Sequence, residues 1–212
     1  MDNTIQKTME NLEKNNISAF YAETAEDVLT TLKQLLPPGC SVSVGGSVTL
    51  SQCGVLDFLK TGGYDYIDRY DPSLDRKGVT DVFVRALSAD AYITSSNAIT
   101  QDGKLYNTDG NGNRIAALCF GPKSVIVVAG KNKITEDIEA AQLRVKTVAA
   151  PKNCQRLSCD TYCSKTGKCV AADKNFEGCN SEDRICSTYV VTSYQRNAGR
   201  IKVIIVNEDL GY

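Results

Sequence analysis

The chain has 212 residues, 42% hydrophobic and 23% charged, and its 24 basic and 25 acidic side chains leave a net charge of -1. This is ordinary globular usage, which excludes a disordered, collagenous or fibrous chain and gives no basic face for sequence-independent nucleic-acid binding. Histidine is absent, so His-based triads, His-ligated catalytic zinc and imidazole acid–base chemistry are excluded together.

The N-terminus, Met1 to Lys7, has no apolar signal-peptide core, and no stretch approaches the ~20 apolar residues of a membrane span. A cytoplasmic protein with reduced thiols and no membrane span is expected. Ile5, Met9 and Leu12 recur at helical spacing and predict an amphipathic helix over Asn3 to Asn15. A strand follows at Ile17 to Ala22. Thr24 with Asp27 opens a helix through Leu36, which Pro37-Pro38-Gly39 stops. Ser41 to Val44 reads as a strand, Val48 to Leu59 as a helix and Tyr64 to Ile67 as a strand. Asp71-Pro72 reads as a cap and first helical turn leading toward Leu87. Ala91 to Ser95 is a strand, and Asp102-Gly103 makes a hairpin of Ala98 to Thr100 and Lys104 to Tyr106. Ile115 to Phe120 is a short apolar segment ending at Gly121-Pro122. Ser124 to Ala129 is a buried strand, and Thr135 caps a helix from Glu136 to Ala149 that Pro151 closes. Periodicity is lost from Asn153 to Cys186; Tyr189 to Thr192 and Ile201 to Val206 are strands.

Apolar strands alternating with helices imply an open α/β fold, a largely parallel sheet with helices on both faces. A single domain over residues 1–212 is expected, with the cysteine-rich segment 153–187 inserted before the final strands.

Two loop-rich stretches carry candidate ligand chemistry. Gly45, Gly46 and Ser47 join a strand to a helix, where exposed N–H groups and the hydroxyls of Ser47 and Thr49 suit an anion. Glycine needed only for a plain strand-to-helix turn explains the same residues. Asn97 to Arg114 holds Asn97, Asp102, Asp109, Asn111, Asn113 and Arg114. Arg114 is a candidate bidentate partner for phosphate or carboxylate, and Asp102 and Asp109 are candidate acid/base groups. A solvated hairpin and turn use the same residue types.

Six of the nine cysteines, Cys154, Cys159, Cys163, Cys169, Cys179 and Cys186, lie in polar surroundings within the segment, with 4, 3, 5, 9 and 6 residues between them. In a reducing compartment such clusters bind metal, zinc before iron–sulfur, or do redox work; inert thiols are the third option. No CxxC occurs, which departs from zinc-ribbon and ferredoxin spacing.

Gly45 through Leu50, Asn97 through Gly103, Asn107 through Arg114, Phe120-Gly121-Pro122, Gly130 through Ile134 and Ala150 through Asn153 form an ordered series. It continues with Cys163 through Cys169, Arg184-Ile185-Cys186, Gly199-Arg200-Ile201 and Glu208 through Gly211. Taken together, these stretches resemble the LUD-domain proteins, the lactate-utilisation group. The resemblance implies a fold similar to the NagB/RpiA/CoA-transferase-like group. The family's cysteine pattern falls on Cys163, Cys169, Cys179 and Cys186, which it implies as a shared metal site. Here Thr161-Tyr162-Cys163 replaces a Thr-Pro-Cys, and the gap from Cys169 to Cys179 is longer than the pattern. Cys154 and Cys159 fall outside it. The resemblance implies an accessory role in oxidising lactate to pyruvate beside iron–sulfur oxidoreductase subunits. The alternative is a stand-alone enzyme acting on a small anionic metabolite (a phosphosugar, acyl-CoA or organic acid) at the glycine-rich loops.

Overall fold

The computed structural model describes residues 1–174 and 176–212. In chain order, the first half comprises α1 (Asn3–Lys14), β1 (Ser18–Ala22), α2 (Asp27–Leu35), β2 (Ser41–Val44), α3 (Val48–Gln52), α4 (Val55–Thr61), β3 (Asp65–Ile67), α5 (Arg76–Ala86) and β4 (Ala91–Thr94). The second half comprises β5 (Ala98–Thr100), β6 (Leu105–Asp109), α6 (Asn113–Cys119), β7 (Ser124–Gly130), β8 (Ile134–Thr135), α7 (Ile138–Arg144), α8 (Ala150–Arg156), α9 (Tyr162–Thr166), β9 (Thr188–Thr192) and β10 (Ile201–Val206). Among the described residues no helix is long and apolar enough to cross a membrane.

Six strands form a parallel sheet in the order β1-β10-β7-β4-β2-β3. Alternation along its central strands divides the interior in two, because successive side chains leave a strand on opposite faces. Ile126 and Val128 of β7, with Ile204 and Val206 of β10, pack against Leu32 of α2 and Leu50 of α3. Val125 and Val127, with Val203 and Ile205, pack on the other face against Ile5 and Leu12 of α1 and Leu118 of α6. Both faces are thus covered, as a parallel sheet requires.

The final strands do not share one sheet. β10 enters the main sheet, whereas β9 pairs with β6 in a second sheet of order β8-β5-β6-β9, where only β5 and β8 run parallel. Tyr106 of β6 packs with Ala141 of α7 and Cys186 to bury one face of this smaller layer.

Other differences from the sequence reading have local causes. The Val48–Leu59 helix is two helices, because Gly54 takes φ 67 and starts α4 afresh. α5 is capped by Asp75, whose carboxylate accepts from Gly78 N at 2.7 Å, while Asp71 accepts from Ser73 N in a preceding turn. Ile115 to Phe120 lies largely within α6. Pro151 does not close its helix. A π-helical turn, Val145–Ala149, widens the backbone, and Pro151 then falls in the first turn of α8, where its missing N–H costs little.

The chain leaves β2 for β3 on one side and returns with β4 on the other. That reversal opens a crevice above the carboxyl ends of β2 and β4, the place where open α/β sheets bind ligands.

Candidate functional site

Segments from several strand ends meet at this crevice: Gly45-Gly46-Ser47 after β2, Ser95-Ser96 after β4, Lys131 to Lys133 after β7 and Glu208 to Tyr212 after β10. They border a cleft of about 660 Å³. Gly46, Ser47, Thr49, Asn97, Asp109, Asn111, Asn113 and Arg114 all line it, so both glycine-rich loops face one space. Gly45 sits just behind the wall. Asp102 is elsewhere, on the β5–β6 hairpin, where it pairs with Lys104 at 2.5 Å and accepts from Thr100. It has no place in the chemistry of the cleft.

Neither Gly45 nor Gly46 has positive φ, and packing requires glycine only at Gly45. A Cβ on Gly45 would lie 2.7 Å from Thr94 Oγ1 and 3.1 Å from Tyr92 Oη. Ser47 caps the single turn of α3 by accepting from Leu50 N at 3.4 Å. Thr49, two residues on, is buried; its Oγ1 donates to Leu210 O at 3.3 Å and accepts from Lys133 Nζ at 2.8 Å.

Lys133 is the feature that residue types alone did not disclose. It is 3% exposed, and its Nζ also donates to Ser95 Oγ at 2.9 Å. Among the described residues no carboxylate pairs with it. Burial strips its hydration, and Arg144 and Arg114 add repulsion against a weaker pull from Cys53, so its pKa is pushed down to about 7. An amine in that state is a base or nucleophile near neutral pH. Its sequence signals were its position just past a buried strand, in a chain without histidine, and its place in the Gly130–Ile134 stretch of the resemblance.

Arg114 is differently placed from the expectation. Nη1 donates to Ser95 O at 3.0 Å and Asn107 Oδ1 at 2.5 Å; Nη2 donates to Asn97 Oδ1 at 2.8 Å and Thr108 O at 2.6 Å. Asp109 Oδ2 stands 3.7 Å from Nε. The guanidinium fork is therefore committed to the protein, and a bidentate grip on a ligand is not open to it. It ties β4, β6 and α6 together and sets a fixed positive charge under the cleft. Asn97 serves the same network: its Oδ1 also accepts from Thr108 N, and its carbonyl accepts from Arg144 Nη1 at 2.6 Å.

The remaining cations stand round the mouth. Arg69, Arg76, Arg156 and Arg184 line the cleft, against the carboxylates of Asp109, Glu182 and Asp183. Arg69 is held by the rings of Phe83 and Tyr70 at 4.6 and 5.4 Å, and Arg156 donates to Tyr212 Oη at 2.8 Å. Excess positive charge on a polar, partly enclosed surface suits a small anion.

The cysteine segment supplies one wall of the cleft, through Cys159 and the run Glu182 to Ile185. Arg184 organises that run, donating to the carbonyls of Cys186 at 3.0 Å and Cys179 at 3.3 Å. All nine cysteines are free. Cys163 Sγ lies 3.4 Å from Thr161 Oγ1. Burial pushes the Cys154 thiol up to about 12. Among the described residues no group of three or more Cys, Asp or Glu is disposed to hold a metal ion.

Comparison with known proteins places these features in context. The family model described as the LUD domain matches residues 5–206. Among solved structures, a DUF162-family protein from Deinococcus radiodurans is similar in fold, with a TM-score of 0.55 at 15% identity and 96% of each chain covered. No curated protein matches.

Proposed function

The chain belongs to the LUD domain family, which is associated with lactate utilisation, and from that premise we propose that it is the anion-binding component of such a system. It takes a small organic acid at the strand-end cleft and works beside iron–sulfur oxidoreductase subunits that carry the electrons. One observation carries this reading: the arginines that line a crevice at the reversal of strand order, Arg69, Arg76, Arg114, Arg156 and Arg184, outnumber its carboxylates, Asp109, Glu182 and Asp183. A charged hydrogen bond contributes about 1.5–3 kcal/mol, so two or three suffice to hold a small acid.

Calorimetric titration with lactate, pyruvate and inorganic phosphate tests it. Arg76 is exposed at the start of α5 and supports no core packing. Arg76→Ala is expected to weaken binding roughly 10-fold or more with the fold intact. Absence of binding by any of these anions, or affinity indifferent to the arginines, removes the reading.

The metal enters only as a separate proposal. Zinc, or an iron–sulfur cluster, at Cys163, Cys169, Cys179 and Cys186 is decided by elemental analysis of anaerobically purified protein. A second reading, a stand-alone enzyme, is favoured by Lys133.

A further inference from the structure

We propose that Lys133 is a carbonyl-capturing nucleophile, whose Nζ forms an imine with an anionic aldehyde or ketone seated in the cleft. The inference rests on the anion-binding reading and adds the substrate class, a carbonyl compound.

The argument starts from hydrogen counting. An ammonium has three N–H donors; a neutral amine has two and a lone pair. Two acceptors face Nζ, Thr49 Oγ1 at 2.8 Å and Ser95 Oγ at 2.9 Å, which matches the neutral form. A lysine that is buried as a cation takes a carboxylate partner; this one has none among the described residues and stands instead near two guanidinium groups. Both neighbours favour the neutral amine. The arginines at the mouth lie where they would hold the anionic end of a ligand whose carbonyl reaches inward.

The step balances without an oxidant or metal. The amine lone pair attacks the carbonyl carbon, and the π electrons move to oxygen. A proton passes from nitrogen to that oxygen, for which the Ser95 hydroxyl is a relay at hydrogen-bonding distance. The carbinolamine then loses water, which carries off the carbonyl oxygen and both amine hydrogens and leaves a carbon–nitrogen double bond.

Two sources of such a carbonyl exist, an oxo acid and an open-chain sugar phosphate. The experiment incubates the full chain with pyruvate or with ribose 5-phosphate in the presence of cyanoborohydride, followed by intact mass and peptide mapping. One adduct is expected, on the peptide bearing Lys133, forming roughly 600-fold faster at pH 7.5 than on an ordinary lysine, by the ratio of deprotonated amine. Its rate is expected to rise with pH through about 7, a midpoint set first by burial, then by Arg144 of α7 and Arg114 of α6 against Cys53 at the end of α3. The arm that reacts identifies the source. Lys133→Arg cannot form the imine, so trapping falls to background. Mapping on the unaltered chain makes the result independent of how that variant folds. Adducts spread evenly over surface lysines overturn the proposal. Pyruvate or ribose 5-phosphate that binds by calorimetry yet leaves no adduct on Lys133 overturns the imine and spares the anion-binding reading; no binding of any anion overturns both.

Discussion

Lys133 links its chemistry to the stability of the fold through a single proton. An unfolded lysine titrates near 10.4, whereas burial brings Lys133 down to about 7. Between those values the unfolded chain binds a proton that the folded chain refuses, so this residue makes stability fall as pH falls from about 10 to about 7 and adds no further change below that. Lys133→Met removes the effect. Relative to the unaltered protein, the variant is expected to gain on the order of a few kcal/mol at pH 6 and to lose most of that advantage near pH 10, read from urea melts at the two pH values. A difference that is flat with pH means that the lysine is charged in the folded state as well. Why the sequence hid this residue is a matter of distance. Thr49 and Ser95 lie 84 and 38 positions away along the chain, and nothing local marks a lysine that will meet two hydroxyls. Arg114 was visible as a type in a polar loop, but its acceptors, Asn97 and Ser95 among them, become its partners only once β4 and β6 are in place.

The elements were legible where their signal is local. The apolar runs of β7 and β10 follow directly from residue order, and so does the hairpin at Asp102-Gly103, where a Cβ on Gly103 would lie within 2.5 Å of the α1 backbone at Asn11. The break between α3 and α4 was not legible, because glycine within a helical pattern is tolerated as often as it interrupts. Gly54 isolates the cost of that break. Its φ is 67, and a Cβ would meet nothing nearer than Leu29 Cδ1 at 3.9 Å. Gly54→Ala is therefore expected to be destabilising through the backbone alone, by about 1–2 kcal/mol, the usual penalty for an L-residue in the left-handed region. For a chain of this size that is a fall of roughly 2–8 °C in Tm by thermal melting. No loss means that the α3–α4 junction relaxes to an ordinary helical turn. Pro151 shows the opposite failure. The residue was read by its usual effect, and the π-helical turn before it removed the conflict.

At the scale of the whole molecule, the parallel sheet supplies the floor of the cleft and the cysteine segment supplies a wall, and one experiment tests whether ligand binding involves both. Cys159 lines the cleft, and burial raises its thiol; Cys119, at the end of α6, is exposed and borders a different depression with Phe120 and Arg200. Cys53 is pushed up to about 11 and Cys154 to about 12, chiefly by burial, so both are expected to resist iodoacetamide at pH 8 until the chain unfolds. Under those conditions Cys119 reacts first and Cys159 more slowly. An anion that fills the cleft is expected to slow Cys159 by about 10-fold at ten times its Kd, as mass action requires for a site closed by the ligand, and to leave Cys119 unchanged. Peptide mapping over a time course with pyruvate or phosphate reads both rates in one sample. Equal rates with and without ligand mean that the wall stays open when the floor is occupied, and the cysteine segment then has no part in holding the anion. Protection at Cys159 alone ties the cysteine segment to the cleft that holds the anion.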